Sequence, residues 1–539
     1  MHESQKNPSQ NFWSESISPI KRPSQAGELI VDVCVIGAGI TGLTTACLLK
    51  EAGKSVVVIN HGQIAASETA HSTAHLTEVL DISFQKLIQR FGHEKAELVA
   101  HSTRKAIERI EENIQKYKIS CEFKRLSAYK FTEEANQINE IELESEAALD
   151  IGVPNELIFQ APLPFFTERA IRFDHQAQFN PLQYIERLAT ILQGDGCKIY
   201  EDTRMLDVED GSPCRVITDR GPIIADEVCI ATNSPSVNKL ILHSKLASYR
   251  TYVVGATIKD RFDFQNLYYD MASPYHYLRF AQLSDKNYLL VGGEDHKTGV
   301  LGKSFKAYEN LESWAKNHFD IIEFTHHWSG QIIEPVDGLP YIGKNPMSDH
   351  IFVATGFSGS GITFGTVAAM LLSDLITGNE NPWESIFTPT RIKPMASFKN
   401  FISENIDFPT HFVSDRFTIS DHKDFDQLKA NEGTSVNIEG KKLAAFKDSS
   451  GEIHFLSPVC PHLGCHVQWN SIEKSWDCPC HGSRFDGLGH LLNGPAIADL
   501  EAYIPNEPPP GDQIPVEEQK RRGIITPPLV SLFEKEIKS

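Results

Sequence analysis

From Leu29 to Ile36 the chain reads LIVDVCVI, a short and nearly continuous apolar run that predicts a strand buried on both faces. It enters Gly37-Ala38-Gly39-Ile40-Thr41-Gly42, and a helical pattern then runs through Lys50 to a second apolar strand, Ser55 to Ile59. Further on, Val99, Ala106, Ile107, Ile110, Ile114 and Tyr117 recur at helical spacing. They predict an amphipathic helix whose apolar stripe belongs to the core. Leu246 to Gly293 alternates, rich in Tyr, Val and Leu, and predicts antiparallel strands. Ile351 to Thr355 is another strand; it enters Gly356-Phe357-Ser358-Gly359-Ser360-Gly361 and a helix from Thr363 to Thr377, with Gly378 as its C-cap.

The pattern also marks boundaries. Residues 1–27 are polar and rich in Ser, Pro and Gln, and are expected to form an N-terminal extension. Residues 28–380 carry the strand and helix pattern, with 236–325 as the expected substrate-binding part. Residues 381–410 hold Pro382, Pro389, Pro394 and Pro409 and are expected to be a linker. Residues 411–510 are expected to fold separately, and 511–539 form a Pro- and charge-rich tail.

The strand, glycine turn, helix and second strand together form a dinucleotide-binding fingerprint in its proper context. Gly37 permits the tight turn, Gly39 lets backbone approach a pyrophosphate, and Gly42 lets helix pack on strand. Ala38 lies in the same loop, and the helix N-terminus faces the phosphates. An acidic residue is expected to end the second strand and hold the ribose hydroxyls. Asn60 stands there instead, which leaves a hydrogen bond without charge. A plain Rossmann core with an unrelated late glycine loop is the alternative.

Near the C-terminus lie Cys460-Pro461-His462-Leu463-Gly464-Cys465 and Cys478-Pro479-Cys480-His481-Gly482-Ser483. Two thiolates and two imidazoles on two loops can clasp one metal centre. Cys2His2 also suits structural zinc, but zinc fingers usually pair Cys with Cys and His with His. The arrangement resembles the Rieske [2Fe–2S] site. That resemblance implies Cys460 and Cys478 on one iron, His462 and His481 on the other, and a Cys465–Cys480 disulfide tying the loops together. Asn493-Gly494-Pro495-Ala496 resembles the family's covering loop. Ser483 matches a hydroxyl that tunes the cluster in high-potential members, whereas Phe485 stands where they carry a Tyr.

The second glycine loop (Gly356, Ser358, Gly359, Gly361), Asp337-Gly338-Leu339-Pro340 and Val228-Cys229-Ile230-Ala231-Thr232-Asn233 resemble the D-amino-acid-oxidase/glycine-oxidase superfamily of FAD enzymes. The resemblance spans about residues 28–380, and it implies FAD with Thr232 and the second loop among its contacts. With the C-terminal loops, the whole resembles bacterial fusion flavoproteins. The implied fold is an α/β FAD-binding Rossmann-like domain with an inserted antiparallel β-sheet substrate domain, plus a C-terminal all-β Rieske domain. Thr69-Ala70-His71 falls where a related branch attaches FAD covalently, so His71 is a candidate at the flavin edge, with non-covalent contact preferred. The family's usual substrate-carboxylate Arg is replaced by Ile332. Tyr277 and Arg279 are then candidate catalytic residues, Arg279 as the missing charge, with Tyr275 beside them in an amine pocket. Strand alternation sends these three to one face and His276 to the other.

The net charge of −20 argues against nucleic acid and anionic membranes as partners. The longest apolar stretch, Ala368 to Ile376, is too short to span a bilayer. With no signal-peptide pattern, a cytoplasmic protein is expected. The expected function is oxidation of a small amine or amino-acid-like substrate, with electrons passed singly from FAD to the cluster and on to a one-electron acceptor protein or quinone. A non-catalytic flavin and iron–sulfur relay is the alternative. A Rieske oxygenase is excluded, because its iron triad needs histidines beyond the cluster and none follows His490.

Overall fold

The computed structural model describes residues 11–503 except 67, 237–241, 260–264, 284, 300–303, 392–427 and 439. The expected tail and residues 392–410 of the expected linker lie outside the described residues. The chain splits into two compact units, residues 1–409 with 479–482 and residues 410–478 with 483–539.

The first unit holds two sheets. The first has parallel strands in the order Ile351–Thr355, Gly221–Ile230, Leu29–Ile36, Val56–Ile59 and Cys197–Tyr200. Tyr341–Lys344 adds an antiparallel edge beside Ile351–Thr355. The apolar runs of the sequence have become central strands because helices cover one face, where Val33 and Val35 meet Leu43 and Ala46. The helix His93–Tyr117 buries Val99, Ala106, Ile107 and Ile110, as its stripe predicts, while Ile114 and Tyr117 are half-buried. The helix Gly361–Thr377 ends at Gly378 in the left-handed conformation, the expected C-cap.

The second sheet is mainly antiparallel. Its order is Ile321–Pro335, Leu246–Ile258, Lys286–Lys297, His276–Leu283, Leu267–Asp270, Lys124–Thr132, Arg169–Gln178 and His75–Leu76. The expectation of a contiguous substrate segment, 236–325, is too narrow. Lys124–Thr132 pairs in parallel with Leu267–Asp270, so strands from before residue 180 complete the sheet. Those pairings are long-range and leave no local signal in sequence.

The described parts of the expected extension and the expected linker carry packed residues. Residues Phe12–Ser16 form a short 3-10 helix with Phe12 and Trp13 each 1% exposed. In the expected linker, Trp383, Ile386 and Phe387 are buried, and Arg391 pairs through two nitrogens with Asp337 at 2.8 Å. Asp337 belongs to the Asp-Gly-x-Pro stretch, so that motif anchors the end of the unit here.

The second unit is all β. One sheet joins Glu432–Ile438, Lys441–Lys447 and Ile453–Leu456. The other joins Gln468–Asn470, Ser475–Asp477, Arg484–Asp486 and Leu491–Asn493. Trp476 is fully buried and packs on Trp469 at 4.8 Å between ring centroids. Arg484 is buried with Glu473 at 2.7 Å and Asp477 at 3.0 Å.

Trp13→Ala removes a fully buried indole, its hydrogen bond to the Ser72 carbonyl and its contact with Arg279. Truncations of this kind cost about 3–5 kcal/mol. The chemical-denaturation midpoint of the first unit should fall accordingly; an unchanged midpoint means that the N-terminal segment is not part of this core.

Candidate functional site

The first glycine loop is built by close approach. A Cβ on Gly42 would lie 1.8 Å from the Gly37 carbonyl oxygen, and one on Gly37 would lie 2.5 Å from the Ala231 oxygen. Gly37 also has φ +105°, a region that disfavours side chains. Gly39 caps the helix Ile40–Glu51 at its N-terminus, whose dipole favours an anion. The loop therefore leaves bare backbone where a pyrophosphate fits. Asn60 braces that loop: its amide oxygen accepts from the Ala38 N–H at 3.0 Å, and its NH2 donates to the Gly62 carbonyl at 2.8 Å. Both polar atoms of the Asn60 amide thus serve the loop. Thr232 likewise bonds within its own turn, to the Ser234 carbonyl at 2.8 Å.

In the second glycine loop the Gly359 N–H donates to Asp81 Oδ2 at 2.7 Å, and Ser358 N–H donates to the Ile333 carbonyl. Asp81 was not foreseen from sequence. Its carboxylate sits at the N-terminal end of the helix Gly361–Thr377. Beside it lies a cluster of polar side chains at the second sheet. Tyr277 Oη is 3.0 Å from Thr251 Oγ1, and Tyr275 Oη donates to Asp295 Oδ2 at 2.9 Å. His75 stacks edge-on to Tyr277 at 5.8 Å and tilts against Tyr269 at 5.2 Å. Burial, with the Arg279 charge, pushes His75 down to about 3, so it is a neutral imidazole here. Burial, aided by Asp81, raises Asp295 to about 6. Gly292 makes room for the pocket wall, because a Cβ there would meet the Tyr277 ring at 2.1 Å. Consecutive Gly292 and Gly293 inside a strand were the available signal for this close approach.

Tyr277 thus lines the pocket, but Arg279 does not act there as the expected substrate charge. It is 1% exposed, its Nη1 donates to the carbonyls of Thr73 and Ala74 at 2.5 and 3.2 Å, and its guanidinium lies 4.7 Å over the Trp13 ring. Burial lowers its pKa to about 9. His276 faces away, as alternation predicts, bonded to Asp270 at 2.7 Å and stacked on Trp314. His71 ends the short helix Glu68–His71; its carbonyl accepts from Trp328 Nε1 at 2.9 Å, and its Cβ packs against Gly330.

The two Cys/His loops of the C-terminal region share one design. In the first, the Cys460 N–H donates to the Cys465 carbonyl at 2.8 Å; in the second, the Cys478 N–H donates to the Ser483 carbonyl at 2.8 Å. Each hairpin brings the ends of a Cys/His run together. Cys465 and Cys480 are disulfide-bonded, and Cys478 lies within 4.8 Å of both sulfurs. The Cys478 thiol, the N–H groups of His462 and Leu463, and the Ser483 hydroxyl all approach Cys460 Sγ and lower its pKa despite burial. A buried sulfur ringed by donors favours thiolate, the form that binds iron. Burial pushes His481 down to about 4, which keeps it neutral as a ligand must be. Cys460, His462, Cys478 and His481 thus fit a two-thiolate, two-imidazole set. Ser483 Oγ also accepts from the Ala496 N–H at 3.0 Å, joining the covering loop to the second hairpin, and Phe485 is fully buried.

The model of the FAD dependent oxidoreductase family, DAO, matches residues 32–375, well over half the chain. The chain belongs to the DAO family of FAD-dependent oxidoreductases. A Rieske [2Fe-2S] domain model matches residues 420–504 of this oxidoreductase, which sets the zinc reading aside. A Bacillus subtilis (strain 168) protein, YhfW, named as a Rieske 2Fe-2S iron-sulfur protein, is 36% identical over 91% of this chain and 97% of its own length. Gamma-glutamylputrescine oxidoreductase of Escherichia coli K12 is 22% identical over 66% of this chain and 85% of its own. Glycine oxidase from Geobacillus kaustophilus shares the fold with a TM-score of 0.58 and 19% identity, over 68% of this chain and 99% of its own. The oxidoreductase carries FAD and a [2Fe–2S] cluster. Among the described residues, no helix is long and apolar enough to cross a membrane.

Cys478→Ser in the full chain should bring iron and acid-labile sulfide to background while FAD content stays unchanged. Iron retained at the wild-type level would mean that this thiolate is not a ligand.

Proposed function

We propose that this oxidoreductase oxidises a small amine or amino-acid-like molecule at FAD and passes the electrons singly to the [2Fe–2S] cluster. The observation that carries the reading is the cluster of Tyr269, Tyr275, Tyr277, Thr251 and Asp295 at the second sheet, close to Asp81, which accepts from the Gly359 N–H of the second glycine loop. Aromatic walls with a few convergent polar groups are what a small substrate needs. The name of the E. coli relative, an oxidoreductase of an amine, supports the same class.

Bound FAD supplies hydride acceptance from a carbon beside nitrogen, and the cluster supplies one-electron transfer. The chain's part is placement and exclusion of water. The glycine loop after Leu29–Ile36 and the N-terminus of Ile40–Glu51 would hold the pyrophosphate. The second glycine loop and its helix would meet the flavin, and His71 would contact it without a covalent bond. Cys460, Cys478, His462 and His481 would hold the cluster. Neutral His75 and the Tyr hydroxyls orient the substrate without adding charge. The next acceptor would be a one-electron carrier protein or a quinone, and the compartment the cytoplasm.

The test is anaerobic mixing of the FAD-loaded protein with amines, methylated glycines and amino acids. At least one should bleach the flavin absorbance. If only a reduced protein donor bleaches it, the chain is a relay between protein partners and not an amine oxidoreductase.

A further inference from the structure

Asp295, bonded to Tyr275, has no part in the amine reading so far. Its Oδ2 accepts from Tyr275, the Thr251 side chain approaches the same carboxylate, and its Oδ1 is buried with no hydrogen bond of ordinary geometry among the described residues. Tyr269 Oη, beside Asp81 and Tyr277, is approached by the Thr77 side chain. A buried carboxylate oxygen left open costs free energy unless something fills the site. The walls add the faces of Tyr275 and Tyr277, 6.0 Å apart between centroids, and such faces attract cations.

The cations that register at this pocket are committed elsewhere. Lys130, which is felt at Asp81, lies 2.8 Å from Glu144. Arg279, which is felt at His75, is spent on the Thr73 and Ala74 carbonyls and on Trp13. From Leu246–Ile258 the pocket receives Thr251, from His276–Leu283 Tyr277, and from Lys286–Lys297 Asp295, which also feels Glu294 on its own strand and Asp81, the partner of the second glycine loop. None of these groups is positive.

We propose that the pocket takes a protonated primary or secondary amine carrying no carboxylate beside its nitrogen, with Asp295 as counter-charge and the Tyr275 and Tyr277 rings against its alkyl chain. This rests on the amine-oxidoreductase reading and narrows it, since α-amino acids would bring a carboxylate to an acidic, cation-poor pocket. Because the Asp295 carboxyl is held near 6, its charge and therefore the affinity should grow as pH rises from 5 to 7.

The experiment titrates FAD-loaded full chain, anaerobically, with butylamine, putrescine and glycine, following perturbation of the flavin spectrum. Expected is binding of butylamine or putrescine in preference to glycine, tightening from pH 5 to 7. Asp295→Asn should weaken the amine at least tenfold and flatten the pH dependence, with FAD content unchanged. Tyr275→Phe should weaken it less. Should Asp295→Asn lose FAD, the wild-type selectivity and pH profile decide. Glycine binding tighter than either amine, or amine affinity indifferent to pH and to Asp295→Asn, overturns the proposal. If amines bind in an Asp295-dependent way but no compound bleaches the flavin, the pocket assignment stands and the oxidoreductase reading of it falls. Bleaching by α-amino acids alone, indifferent to Asp295→Asn, keeps that reading and overturns the assignment.

Discussion

A buried guanidinium ties the first unit together. Arg279 sits on a central strand of the second sheet, holds the carbonyls of Thr73 and Ala74, and lies under Trp13. Three distant stretches of chain therefore meet at one charge. Taking an arginine out of water is costly, and its low pKa reflects that cost. Charge-assisted bonds to two carbonyls and the indole face offset it. The loop so fixed runs between His71 and His75, one residue expected at the flavin and the other on the pocket wall. The N-terminal segment is thus a support of the site, although its composition reads as a loose extension.

The same charge sets the character of the pocket. With Arg279 turned to backbone, what remains around Tyr277 is phenols, a threonine, a neutral histidine and two carboxylates. The Asp81 carboxylate at the N-terminal end of Gly361–Thr377 counters part of that helix's positive end.

Features carried by neighbouring residues were legible in sequence. The strand Leu29–Ile36 and the strand Ile351–Thr355 fall on their expected residues, because an apolar run flanked by glycine has few other uses. The cluster loops were legible for the same reason: Cys and His lie two to three residues apart within each hairpin. What was hidden depends on partners far along the chain. Arg279 meets Thr73 across 206 residues, and Gly359 meets Asp81 across 278. Arg391 lies in a proline-rich stretch that reads as linker, yet its partner Asp337 pulls that stretch into the core. Asn60 was placed correctly at the end of Val56–Ile59, but only the fold shows that its amide is used to brace the Ala38 turn.

Electron flow from substrate through flavin to cluster requires the cluster to be the better acceptor. Rieske centres span roughly −150 to +300 mV. The Ser483 hydroxyl beside Cys460 favours the higher part of that span, while Phe485 offers no second donor. A middle value is expected, still above the flavin. The direct measurement is a spectroelectrochemical titration of the intact holoprotein that follows both centres in one sample. A cluster potential above that of the flavin is the predicted result. A cluster potential lower than the flavin's by more than about 59 mV, a tenfold bias for one electron, would contradict it and make the cluster the flavin's donor.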